Sequence, residues 1–261
     1  MKILLALLLP LSLLAFGGEA LAQISDNNVA INKAGRQRML SQRMAKGYMA
    51  LGQGVLPSDA ERALASSMAL FDRQLVELKA FAPAPEIKAT YQQLEIKWSD
   101  YKGALVGAKP DAKGAASVIQ LSNAVLALAN QGTVQLEKAS NKPVGKLVNI
   151  AGRQRMLSQR MASHYLVASW NVGAANAKAE MLKAQDEFLL AHNTLTNAPE
   201  NTERIAGDLV LAQQQFVFFQ AALQNLQIGH ANQARMSDVF QTSERILQVM
   251  DNITNLYSKI V

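Results

Sequence analysis

Arg38 and Arg155 occupy the same place in two nearly identical stretches, Ile31 to Ala45 (INKAGRQRMLSQRMA) and Val148 to Ala162 (VNIAGRQRMLSQRMA), which agree at 13 of 15 positions. On a helix of about 100° per residue, Ile31, Ala34, Gly35, Arg38, Gln42, Ala45 and Met49 share one face. Val148, Ala151, Gly152, Arg155, Gln159, Ala162 and Leu166 form its counterpart. Alanine and glycine allow a second helix to approach closely, so two such faces would bring both guanidinium groups together. Guanidinium keeps its charge in a protein, and two unit charges ~4 Å apart at an effective dielectric of ~20 repel by about 4 kcal/mol. Neither stretch contains a carboxylate. The chemistry expected is capture of a small anion, and a planar oxyanion matches two planar donor forks.

Other residue types offer less. Arg36, Arg43, Arg153 and Arg160 project away from that face and are expected in surface or intra-bundle salt bridges. His164, His192 and His230 lie one to a helix without metal-ligand spacing, so neither metal nor cofactor is expected. The methionines, Met39, Met44 and Met49 among them, read as core filler. No glycine-rich phosphate loop, nucleophile elbow or carboxylate pair is visible, which argues against an enzyme. Cysteine is absent and the net charge is +6. That charge forms no basic stripe interleaved with aromatics, so no nucleic-acid partner is expected.

The elements that must position the arginines are helical throughout. The first module is expected over residues 23–140, with helices from about Asp26 to Gly52, from Ser58, from beyond Pro83 and Pro85 to Val106, and from beyond Gly114 to Ser140. Ser58 and Glu61 have capping-box spacing. The second module, 141–261, repeats the layout, with breaks near Gly173, Asn197 to Pro199 and Gly229. Its phase is kept by Tyr48 against Tyr165 and Phe71 against Phe188. The expected fold is all-α, two tandem up-down four-helix bundles related by a pseudo-twofold axis. Val29, Leu40, Met44 and Leu51, roughly opposite the arginine face, would close each first helix into its own bundle. Residues 1–22 read as a signal peptide cleaved before Gln23, which predicts an exported, periplasmic protein. No later stretch reads as a membrane span.

The INKAGRQRMLSQRM segment resembles the signature helix of the periplasmic sensor domain shared by nitrate-responsive kinases of the NarX and NarQ type and by PilJ-type pilus chemoreceptors. The resemblance spans about 15 residues per copy. It implies a four-helix bundle that dimerises through its first helix and holds nitrate or nitrite between an arginine from each subunit. Those arginines fall on Arg38 and Arg155. The motif's lysine, glycine and methionine fall on Lys33, Gly35 and Met39 in the first copy and on Ile150, Gly152 and Met156 in the second, so the lysine is matched only once. Such domains normally sit between two membrane helices ahead of a cytoplasmic output. Here the duplication is expected to supply both halves of the dimeric site in one soluble chain, as a monomer or homodimer. Two functions are compatible with this: a sensory protein that binds nitrate or nitrite, and a helical scaffold that docks on a membrane sensor or transporter without an anion.

Overall fold

The computed structural model describes residue 24 and residues 26–224, 226–230 and 232–260; the expected leader and its cleavage point lie outside them. The described residues form eight helices: α1 (Asn27–Gly52), α2 (Pro57–Phe81), α3 (Pro85–Val106), α4 (Ala112–Ser140), α5 (Pro143–Ser169), α6 (Ala174–Thr196), α7 (Glu203–Leu223) and α8 (Gln233–Tyr257). Each helix of the first four packs on its sequence neighbours, and α1 packs on α4 to close the ring; α5 to α8 do the same. The all-α, twice-used four-helix arrangement is the expected one. The most extensive contact in the molecule is between α1 and α5.

Local signals explain most boundaries. Asp26 caps α1 by accepting the Val29 amide at 2.9 Å, and Thr202 and Asn232 cap α7 and α8 in the same manner. At the junction of the modules, Asn141 turns through the left-handed region (φ 48°) and Pro143 opens α5. Two expectations are corrected. Ser58 is not a cap: α2 begins one residue earlier, on Pro57, behind a left-handed Leu56, because proline pre-sets the first helical φ. The turn after Gly107 ends before Gly114, since Asp111 accepts the Gly114 amide at 2.6 Å and starts α4 at Ala112.

A third correction concerns hydropathy. Among the described residues α4 is long and apolar enough to cross a membrane by length and composition. Its alanine-rich stretch raises the average, while Ala115, Val118, Val125, Ala129 and Leu136 are buried in the bundle, against α1 and α3.

The two modules differ on their outer surface. Buried Ile87, Trp98 and Tyr101 of α3 correspond to Ile205, Phe216 and Phe219 of α7. In that register α7 exposes Val210, Leu211, Val217 and Phe218 where α3 carries Gln92, Gln93, Ser99 and Asp100.

Candidate functional site

The helices α1 and α5 meet at Gly35 and Gly152. A Cβ on Gly35 would stand 3.7 Å from the Gly152 Cα, and a Cβ on Gly152 would stand 3.7 Å from the Gly35 Cα. Both arginines close on this crossing: each Nη2 lies within 3.5 Å of the position a Cβ would take on either glycine. Arg38 is 1% exposed and Arg155 0%. Each reaches across to the other helix, Arg38 Nη2 donating to the Asn149 carbonyl at 3.1 Å and Arg155 Nη2 to the Asn32 carbonyl at 3.0 Å. Valine at Gly35 would force Arg38 off that carbonyl, and overpacking of this kind costs about 1–3 kcal/mol. Gly35→Val is expected to lower denaturant stability by that amount, despite the better helix propensity of valine over glycine.

The first copy's two other expected site residues lie elsewhere. Lys33 turns into its own bundle, its Nζ 2.7 Å from Glu77 of α2. Met39 is buried and lines a cleft between α1, α2 and α8, while Met156 lines another between α4, α5 and α6. Ile150, in place of the lysine, packs partly buried against the core.

Neither repeated stretch contains a carboxylate, but the last helix supplies one to Arg155. Asp251 of α8 accepts Arg155 Nη1 at 2.5 Å and also Arg36 Nη2 at 2.8 Å. Arg38 Nη1 instead meets the neutral Asn130 of α4 at 2.9 Å. The two positions correspond. Gln42 donates to the Ser122 carbonyl and Gln159 to the Ser243 carbonyl, which aligns α4 with α8 and sets Asn123 against Glu244 and Asn130 against Asp251. Arg160 accordingly meets Asn123 at 2.8 Å where Arg43 meets Glu244 at 2.6 Å. Carrying the repeat alignment into the last helix of each module would have revealed this exchange of amides for carboxylates. The exchange also corrects the place of the outer arginines: Arg36 and Arg43 tie α1 to α8 of the other module. Arg153 and Arg160 pair within their own bundle, with Glu187 and Glu180 of α6.

Electrostatics follow from these partners. Burial, then the guanidinium groups of Arg153 and Arg155, pull Arg38 from its usual 12.5 down to about 9, with Glu137 opposing. Arg155 falls to about 10, through burial and Arg36, with Asp251 opposing. Guanidinium does not shed its proton at neutral pH, so these shifts register the cost of holding the charges there. Nε of each arginine is buried with no acceptor, and an unmet buried donor costs about 1–3 kcal/mol.

His164, buried on α5, has no hydrogen-bond partner at either ring nitrogen; burial first and Arg160 second lower it from 6.5 to about 4, with Glu180 opposing. The unfolded chain therefore binds more protons between those values, so stability drops as pH falls from 6.5 to about 4. His164→Gln is expected to flatten that slope in denaturant titrations taken at stepped pH.

Two bundles joined through helices that converge buried cationic forks make this an all-helical domain present in duplicate. The chain matches the family described as the N-terminal domain of type IV pili methyl-accepting chemotaxis transducers, PilJ, twice, over residues 20–128 and 138–256, and it belongs to that family. These are sensory domains, typically periplasmic in their transducers. No curated protein and no solved structure gave a significant match.

Proposed function

We propose that this chain is an exported sensory protein that holds one monovalent oxyanion, nitrate or nitrite, between Arg38 and Arg155. The observation that carries this reading is the unbalanced charge at the α1–α5 crossing. Asp251 offsets Arg155, while Arg38 has no carboxylate within ion-pairing distance among the described residues. A bound anion would add negative charge to that of Asp251, which Arg36 shares, and of Glu137, which acts on Arg38 from beyond ion-pairing distance. Each arginine keeps a buried Nε–H without an acceptor, and the resemblance of the repeated segment to nitrate-sensor helices points to a nitrogen oxyanion. The signal would be a population shift: the anion favours the closed α1–α5 arrangement, and its loss leaves like charges pushing the helices apart.

Calorimetric titration with nitrate, nitrite, sulfate and chloride tests the reading. Nitrate or nitrite is expected to bind and to raise the melting temperature, and Arg38→Ala to abolish both effects. Absence of heat and of any melting shift with either nitrogen oxyanion would sink it. The scaffold reading is favoured by one observation, the exposed Val210, Leu211, Val217 and Phe218 of α7 where α3 carries polar residues at the matching positions. It predicts a folded protein indifferent to all four anions, so the same titration separates the two.

A further inference from the structure

The cleft between α1, α2 and α8 has a volume of about 610 Å³, in the range of small-molecule sites. Arg36 and Arg43 of α1, Arg73 of α2 and Arg245 of α8 line it, facing only Glu244 and Asp251. Those two carboxylates are already shared. Glu244 takes Arg43 and the fully buried Lys46, each at 2.6 Å, and Asp251 takes Arg36 and Arg155. Among the described residues no carboxylate lies within ion-pairing distance of Arg73 or Arg245, both exposed at the rim. Four arginines on three helices thus line one opening with two carboxylates, and those carboxylates also serve the buried Lys46 and Arg155 behind them.

Two further features narrow what fits. Met39, Leu40 and Leu247 supply an apolar lining, which suits a carbon skeleton rather than a bare inorganic ion. Gln74 also lines the cleft, is 3% exposed, and its buried Oε1 accepts no hydrogen bond. That oxygen is closed off from solvent, so a ligand meets it once the Gln74 side chain turns into the cleft; a hydroxyl then provides the donor and a carboxylate does not. Arginine forks spread over three helices match two separate carboxylates better than one compact charge.

We propose that this cleft is a second binding site, for a small hydroxylated di- or tricarboxylate, with Arg73 and Arg245 as its outer clamp and Gln74 as acceptor of the ligand hydroxyl. Neither Arg38 nor Gly35 lines the cleft, so its ligand does not rest on the oxyanion reading, although Asp251 touches both places, holding Arg36 here and Arg155 at the α1–α5 crossing. The corresponding cleft between α4, α5 and α6 is smaller, about 300 Å³, and carries Asn123 and Asn130 with Glu180 and Glu187 against Arg153, Arg160 and Lys183. With an excess of one positive charge against two in the larger cleft, it serves as the internal control.

The test is titration of the full chain with malate, succinate, citrate and inorganic phosphate, followed by calorimetry and thermal shift. Malate or citrate is expected to bind, and succinate, which lacks the hydroxyl, to bind about tenfold more weakly. The paired exposed substitutions Arg73→Ala and Arg245→Ala should weaken malate binding at least about tenfold. Gln74→Leu should abolish the preference for malate over succinate, and Arg38→Ala should leave malate binding intact. The proposal is overturned if none of the carboxylates binds, if phosphate binds as well as malate, or if the Arg73/Arg245 variant binds malate unchanged.

Discussion

Asn130→Asp is expected to raise the melting temperature of the anion-free protein and to erase its response to nitrate or nitrite. Asn130 already accepts Arg38 Nη1 at 2.9 Å, so aspartate needs no rearrangement to form the pair that Asp251 makes with Arg155. A hydrogen bond to a charged group is worth about 1.5–3 kcal/mol. Here it also relieves a guanidinium burdened by burial and by Arg153 and Arg155. For modules of this size the gain corresponds to roughly 5 °C. The internal carboxylate would then supply the negative charge that a bound anion otherwise brings, and the site would close without ligand. Thermal melts with and without nitrate check both halves. A variant that is more stable yet still gains from nitrate would place the anion away from Arg38.

Glu244→Gln is expected to be the most destabilising single change discussed here. The carboxylate bonds Arg43 through Nε at 2.9 Å and Nη2 at 2.6 Å, and it meets Lys46, whose Nζ is fully buried beside Ser243 and over the Phe240 ring. Removing it strands two cations, and breaking such a buried pair costs about 3–5 kcal/mol. Burial already holds Lys46 down at about 8 against the help of Glu244. Without that carboxylate Lys46 would sit lower still and fold as the neutral amine. The unfolded chain then binds the extra proton, so stability of the variant should climb as pH rises above neutrality. In the native protein Lys46 and Arg43, against opposing burial, hold Glu244 at about 2. Its stabilisation is complete above 4.5 and is lost as pH falls towards 2. Denaturant titrations across pH should show both slopes, and adding Lys46→Met to the variant should recover much of the loss. A small effect at neutral pH would mean that Lys46 has another partner.

The near-identity of Ile31 to Ala45 and Val148 to Ala162 was enough to anticipate a doubled helix, its small-residue face and the convergence of Arg38 on Arg155. Those inferences rest on local rules, the 3.6-residue period and the size of side chains along one face, which neighbouring residues spell out. Lys33 shows where a motif stops being informative. Its match to the family motif suggested the shared site, and its rotation about α1 delivers it to Glu77 instead.

The sequence by itself determined the helical class, the duplication, most helix ends and the meeting of two buried arginines, because periodicity, capping and steric bulk act between residues close along the chain. Only the tertiary structure decided which arginine has a counter-charge. Asp251 and Glu244 lie on the last helix, more than 90 residues from Arg155 and some 200 from Arg36 and Arg43. Their register against α1 and α5 is set by packing of the bundles rather than by any local preference. A one-turn slip of α8 would leave the same composition and helices, yet none of the same ion pairs.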